Sequence, residues 1–381
     1  MSHGIDLETI QAFRDHLDEN IDKISRKLKA HEYAFAPLRA KQISKEGGGI
    51  RILRIPAVRD RVVLTALKIL IAHRFAQFNR PCSHGYIRKR SRFTAIAAIR
   101  ELVAHGHYWV LEADIKKFFD EVPRPILKEK FVRQIRVPSI TSFVEQAIDM
   151  EVGNRDEFQT SEMAFLFTDS GIPQGGVLSP MLANFYLHEF DLAMERGGFN
   201  LVRYADDFVV LSSSEAEAHR AYKLCLEVLE TRLGLKIHHL GEPSKKTSIF
   251  HFSRGFTFLG IEFRGDKLIP APKAVERFKA RINDILRTEG DNTVLRALVA
   301  LRNTVLGWGD SFRQYDSTET FQKMDEYIRE ALTLYLRGRS FVGSNISLSN
   351  KDVRFIGIPS LQRFKQRPQR PSQSTQAITS G

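Results

Sequence analysis

Three carboxylates stand where this chain could do chemistry. Asp114 closes the apolar run Tyr108-Trp109-Val110-Leu111-Glu112-Ala113, while Asp206 and Asp207 sit in a tight turn between Leu201-Val202-Arg203-Tyr204 and Phe208-Val209-Val210-Leu211. All these runs read as strands. Strands distant in sequence can be neighbours in one sheet, so the three acids could converge. Hard carboxylate oxygens suit Mg²⁺, which is usually held by one or two carboxylates together with substrate phosphates. Two such ions can activate a hydroxyl and stabilise a leaving pyrophosphate in an in-line displacement. An isolated Asp-Asp in a hairpin turn is more often a turn-former than a ligand, so its surroundings must decide.

Those surroundings are elements of mixed type. Residues 5–30 carry apolar side chains at helical spacing, from Ile5 through Ile10, Phe13 and Leu17 to Ile24. Lys45-Glu46-Gly47-Gly48-Gly49 is a turn signal beside the alternating Ile50, Ile52 and Ile55, which predicts a hairpin over 40–56 bearing Lys41, Lys45, Arg51 and Arg54. Helices are expected at 60–79, 93–105, 125–150, 181–194 and 214–233, and a strand pair over 256–263. A basic loop spans Ser83 to Arg92, and a Gly/Pro loop spans Gly171 to Pro180. Beyond 272 the pattern is helical, over 272–288, 293–306 and 317–337. The end, from Arg363 to Gly381, is rich in Pro, Gln, Ser and Arg and is expected to be disordered.

Bulk properties narrow the class. The 381 residues carry a net charge of +12, which favours polyanionic partners, nucleic acid first. Cys82 and Cys225 are the two cysteines; far apart and in no C-x-x-C pair, they argue against a zinc module and a disulfide scaffold and fit a reducing cytosol. The acidic, amphipathic N-terminus is no signal peptide. The apolar stretch from Val62 to Ala76 contains Lys68, His73 and Arg74 and is too short to span a bilayer, so no membrane role is expected.

The string around the acid pair decides. Tyr204-Ala205-Asp206-Asp207 between apolar strands resembles the signature of reverse transcriptases, and further blocks stand in that family's order. Gly48 to Arg61 resembles its first fingers block, and Ser83-His84-Gly85-Tyr86 with Arg88 to Ser91 its second. Asp114-Ile115-Lys116-Lys117-Phe118-Phe119-Asp120 is similar to the third, where the family often has Gly at the position of Lys117. Gly171-Ile172-Pro173-Gln174-Gly175-Gly176-Val177-Leu178-Ser179-Pro180 with Asn184-Phe185-Tyr186-Leu187 resembles the fourth. Leu233-Gly234-Leu235 through Lys245-Lys246-Thr247 resembles the sixth, and Phe258-Leu259-Gly260 the seventh. The likeness covers about 41–265 and is greatest to the group II intron type; Leu301 to Gly309 and Phe321 to Tyr335 resemble the thumb and maturase region of intron-encoded enzymes.

The resemblance implies an α+β right-hand polymerase: fingers and palm, with an antiparallel palm sheet packed on helices, and an α-helical thumb. The expected boundaries are an N-terminal helical extension at 1–40, fingers and palm at 41–270, thumb at 271–340 and a C-terminal extension at 341–381. It implies an RNA-directed DNA polymerase with two Mg²⁺ ions, or Mn²⁺, on Asp114, Asp206 and Asp207. Lys45 and Arg51 would meet the incoming deoxynucleoside triphosphate, Gln174 would support nucleotide and template, and Phe118 or Phe119 would block a ribose 2′ hydroxyl. Arg88, Lys89, Arg90, Tyr204 and Lys246 would contact nucleic acid. The partners would be a structured RNA template and its cDNA product. With no paired cysteines of a nuclease segment, the expectation leans to a stand-alone enzyme that copies a dedicated noncoding RNA in bacterial antiphage defence; the alternative is an endonuclease-lacking intron maturase for splicing and retrohoming. An RNA-dependent RNA polymerase and a catalytically vestigial RNA-binding maturase are the competing classes. The intact acids argue against the second, and an aromatic at 118 or 119 against the first.

Overall fold

The computed structural model describes residues 3–44, 50–158, 170–243, 246–287, 294–343 and 345–366. The chain divides into two units, Met1–His251 and Phe252–Gly381. The three short strands after His251 therefore group with the helices that follow them, ahead of the boundary expected at 270.

In the first unit, the expected single helix over 5–30 is two, Ile10–Asp15 and Leu17–Lys29. Thr9 caps the first by accepting a hydrogen bond from the Ala12 amide, and the chain leaves helical geometry at His16 (φ −121°, ψ 38°). Phe13 and Ile24 pack with Tyr33, Val58 and Val63. Buried Asp60, on the Val58–Phe75 helix, accepts from the Tyr33 hydroxyl at 2.7 Å and the Ala36 amide at 2.9 Å, so one carboxylate ties the N-terminal segment to that helix.

Strands β1 (Arg39–Ser44) and β2 (Ile50–Ile55) pair antiparallel as expected of the hairpin. Its turn, with Lys45, lies outside the described residues. The second sheet holds β3 (Trp109–Asp114), β4 (Asn200–Tyr204), β5 (Asp207–Ser212) and β6 (Ser248–His251) in the order β4-β5-β3-β6, every pair antiparallel. Phe208, Val209, Val210 and Leu211 are all fully buried, so both faces of β5 are covered. The helices Arg92–Ala104, Ser179–Arg196 and Glu215–Leu226 pack on this sheet. The helix expected over 125–150 breaks in two, Arg124–Gln134 and Pro138–Ile148. Pro138 fits the first turn of the second helix but forces Val137 out of helical geometry (φ −123°, ψ 100°). The helix expected over 214–233 ends at Leu226 and continues as a π-helical turn, Glu227–Arg232.

In the second unit, β7 (Phe256–Phe258), β8 (Ile261–Arg264) and β9 (Lys267–Pro270) form an antiparallel meander. Three helices follow, Pro272–Arg287, Val294–Phe312 and Thr318–Gly338. The middle one runs through Gly307 and Gly309, past its expected end at 306. Trp308 stacks on Phe278 with ring centres 4.4 Å apart, and a Cβ on Gly309 would lie 2.8 Å from the ring of Phe364. Phe364 is buried within the 3₁₀ turn Leu361–Gln366, so the expected disorder from Arg363 does not hold for residues 363–366. Among the described residues no helix is long and apolar enough to cross a membrane.

Candidate active site

Strand register brings the acids together. Asp114 pairs directly with Asp207 across β3 and β5, and Tyr204 pairs with Asp207 across β4 and β5. Only Ala205 and Asp206 make the turn, and Ala205 takes the left-handed conformation (φ +59°). For a residue with a Cβ that conformation costs roughly 1–2 kcal/mol, so the surroundings must impose it.

A buried guanidinium imposes it. Arg203, on β4, gives two hydrogen bonds to Asp191 on the Ser179–Arg196 helix, Nε to Oδ1 at 2.7 Å and Nη2 to Oδ2 at 2.5 Å. Its Nη1 donates to the Ala205 carbonyl at 2.8 Å and to Asn184 Oδ1 at 3.2 Å. Asn184 in turn donates to the Gly85 carbonyl at 2.8 Å. The loop before Gly85 lies along β4: the Arg203 amide donates to the Cys82 carbonyl, and the His84 amide to the Arg203 carbonyl, both at 2.8 Å. Gly85 meets the turn with no clearance, since a Cβ there would lie 2.5 Å from the Ala205 nitrogen. Sequence reading placed Asn184 and Gly85 in family blocks but gave no role to Arg203 or Asp191.

The electrostatics are those of a site that awaits cations. Burial, reinforced by Asp114, raises the Asp206 carboxyl above its usual range. Burial, then Asp206, Asp114 and Glu112, pushes Asp207 up to about 7, although its side chain still reaches solvent. Lys246 Nζ lies 3.0 Å from Asp114 Oδ2, a positive charge already seated on the cluster. Among the described residues no three acidic, imidazole or thiol groups are gathered tightly enough to chelate an ion alone. Asp114 and Asp206 face the cleft, and Asp207 stands opposite Asp114 across the sheet. The oxygen-only donors fit ions whose coordination substrate phosphates complete.

The acids open on a cleft of about 680 Å³ that contains Asp114 and Asp206. Arg51 reaches it from β2 and Gln174 from the Pro-Gln-Gly turn. That turn is fixed by Arg54, whose backbone amide donates to the Gln174 carbonyl at 2.8 Å and whose buried Nη2 donates to the Ile172 carbonyl at 3.1 Å. The structure separates the two phenylalanines. Phe118 is 2% exposed and belongs to the central core, whereas Phe119 is half-buried. Between Asp114 and this pair, Lys117 is left-handed (φ +43°), which accounts for the glycine the family often has there.

The basic residues fall into two groups. Arg88 and Lys89 are exposed, as is Lys246 by more than half its side chain. Arg90 instead turns inward, and its Nη1 donates to the Arg80 and Ser83 carbonyls, both at 2.5 Å, so it shapes the loop. Tyr204 is half-buried at the base of the turn. Sequence reading also missed a triplet beside Asp114: Glu242 accepts from Lys116 Nζ at 2.9 Å and pairs with His238 Nδ1 at 3.0 Å, and both basic residues line the cleft.

Residues 43–263 match the family model of the reverse transcriptase (RNA-dependent DNA polymerase). Residues 275–340 match the group II intron, maturase-specific domain. The chain is 28% identical to protein YkfC of Escherichia coli (strain K12), over 68% of this chain and 74% of that protein. It is 32% identical to the group II intron-encoded protein LtrA of Lactococcus lactis subsp. cremoris, over 46% of this chain and 28% of LtrA, and so spans little more than a quarter of that relative. A solved telomerase from Candida albicans, in complex with a fragment of telomeric RNA, is loosely similar, with a TM-score of 0.49 and 11% identity over 91% of this chain and 68% of the other.

Two expectations follow from this geometry. Arg203→Met leaves Asp191 buried without its partner and should cost about 3–5 kcal/mol in denaturant unfolding. Adding Asp191→Leu should restore most of that stability but not catalytic turnover, because nothing then holds the Ala205 carbonyl. Recovery of both together would refute a positioning role. The second expectation concerns pH. With its carboxyl titrating at about 7 in the fold and near 3.9 unfolded, Asp207 is held protonated more tightly by the folded chain. Its contribution to stability is full below about pH 4 and is lost as pH rises through 7. In the presence of a chelator, Asp207→Asn should melt progressively above the parent between about pH 5 and pH 8; an offset that stays constant with pH would contradict this.

Proposed function

The chain belongs to the reverse transcriptase family, of the group II intron type with a maturase-specific domain, and from that premise we propose that its cleft copies RNA into DNA with intron RNA as the natural template. The observation that carries the polymerase reading is the register that sets Asp114 opposite Asp207 beside a turn fixed from below. Two divalent ions, Mg²⁺ by the oxygen-only donor set, would be held by Asp114 and Asp206 with substrate phosphates and would supply Lewis-acid activation of the primer hydroxyl and of the leaving pyrophosphate.

The protein's own side chains do the rest. Asp207 lies nearest the primer end. Arg51, together with Lys45 outside the described residues, receives the triphosphate, and Gln174 supports the nucleotide against the template. Phe119 is the ribose gate: both phenylalanines border the cleft, but Phe118 is buried in the core whereas Phe119 is half-buried and free to meet a sugar. The basic surface, with Arg88 and Lys89 exposed, holds phosphate backbones without regard to sequence.

The expected defence role finds no support among the relatives. The match to the maturase-specific domain and the likeness to an intron-encoded protein favour the alternative, an intron-encoded maturase and reverse transcriptase for splicing and retrohoming.

Phe119→Ala should raise ribonucleotide incorporation by about tenfold or more, whereas Phe118→Ala should cost about 3–5 kcal/mol of stability and leave sugar discrimination intact. The reverse pattern would move the gate to Phe118. Asp206→Ala with Asp207→Ala should abolish primer extension and leave RNA binding near normal, and sequencing of RNA co-purified with that variant should return intron RNA. Extension at the parent rate would sink the polymerase reading; recovery of a single unrelated structured RNA would sink the intron template.

A further inference from the structure

The cleft holds a cation to which neither the acids nor the fingers hairpin assigns a task. Arg51, Lys116, Lys117, His238 and Lys246 are its basic lining residues. Lys116 and His238 are paired with Glu242, and Lys246 with Asp114. Among the described residues, the side chains of Arg51 and Lys117 have no ion-pair or hydrogen-bond partner, so both can meet an incoming anion. Arg51 reaches the cleft from β2, and Lys117 from the segment that follows β3.

Lys117 is held there under strain. The residues before it are tied down: Ile115 bridges Ile237, and the Lys116 amide donates to the Lys236 carbonyl at 2.7 Å. At Lys117 the backbone turns left-handed, with φ +43° and ψ +42°. Its carbonyl accepts from the Asp120 and Glu121 amides at 2.8 and 3.0 Å, so backbone bonds fix the turn without help from the side chain. Glycine adopts this conformation freely, whereas a Cβ is penalised in it. The lysine side chain is exposed, and the core begins one residue later at Phe118. A strained residue whose side chain the packing does not use points to function.

We propose that the Lys117 ammonium binds the terminal phosphates of the incoming nucleoside triphosphate, opposite Arg51. This rests on the polymerase reading above and adds a residue to it. Three residues before Lys117, Asp114 faces the cleft where ions and substrate phosphates belong, and two residues after it Phe119 borders the place of the sugar. Three residues of chain span at most about 10 Å, so Lys117 stands on the same wall as both. Lysine suits a phosphate cluster as a compact point charge, while arginine supplies a planar fork. The triphosphate is thus gripped from two sides by different chemistries. Because the contact is to phosphate, it is the same for all four bases.

The test is primer extension by the full chain with Mg²⁺ on an RNA template and DNA primer, beside calorimetric binding of inorganic tripolyphosphate with Mg²⁺. Lys117→Met keeps the aliphatic stem and removes the charge. It should raise KM for every deoxynucleoside triphosphate about tenfold with a much smaller change in kcat, as expected when a contact present in both ground and transition states is lost. It should weaken tripolyphosphate binding by a similar factor and leave primer–template affinity unchanged. Lys117→Arg should stay near the parent in all three. Lys117→Gly should share the KM defect yet melt no lower than the parent, because it relieves the left-handed strain. An unchanged KM or an unchanged tripolyphosphate affinity in Lys117→Met would overturn the proposal. So would a loss of primer–template affinity in its place, which would assign the lysine to a nucleic-acid backbone, or a lower melting temperature in Lys117→Gly, which would assign it to the fold. A parent that fails to extend the primer overturns the polymerase reading instead, and tripolyphosphate binding then still decides for or against Lys117.

Discussion

The placement of the Tyr204–Asp207 turn depends on one buried ion pair. Arg203 and Asp191 are both out of contact with water, and a bidentate pair in that setting adds little net stability, because the desolvation of both charges offsets their attraction. What it supplies is position. The one guanidinium fork reaches a helix carboxylate, a helix amide side chain and the carbonyl of the left-handed residue in the turn. Through Asn184 the same network reaches Gly85. Strand, helix, loop and turn therefore share a single geometric reference, and a misplaced member would strand a charge in the core.

This explains which parts of the site could be read from the sequence. Asp114, Asp206 and Asp207 were legible because apolar runs marked their strands and the neighbouring blocks fixed their order. Arg203 was not. An arginine in an apolar strand beside an Asp-Asp turn looks like a solvent-facing charge, and only the packed helix shows that Asp191 lies beneath it. The choice between Phe118 and Phe119 was equally closed to sequence, since two adjacent aromatics after a strand point in directions that the short helix Phe118–Glu121 alone decides. The hairpin, the palm strands and most helices followed from periodicity. The break at Pro138 was encoded, in the rule that the residue before proline avoids helical geometry, but the strong apolar spacing on both sides masked it.

The acids illustrate a second constraint. Three carboxylates placed close together disfavour their own ionisation, and the structure answers with a raised Asp206, an Asp207 that titrates in the neutral range and a lysine on Asp114. These responses belong to one condition, a surplus of negative charge in a partly desolvated place. Divalent cations held by these carboxylates would relieve all of them together.

The contact between Gly85 and Ala205 bears on stiffness. With no clearance at that point, and with the Ala205 carbonyl tethered from the other side, the turn has no slack. Reacting groups misplaced by about 1 Å can cost on the order of 10²-fold in rate, and a turn clamped from both sides holds Asp206 within that tolerance by itself. The missing side chain at position 85 is thus a spacer of zero thickness between loop and strand.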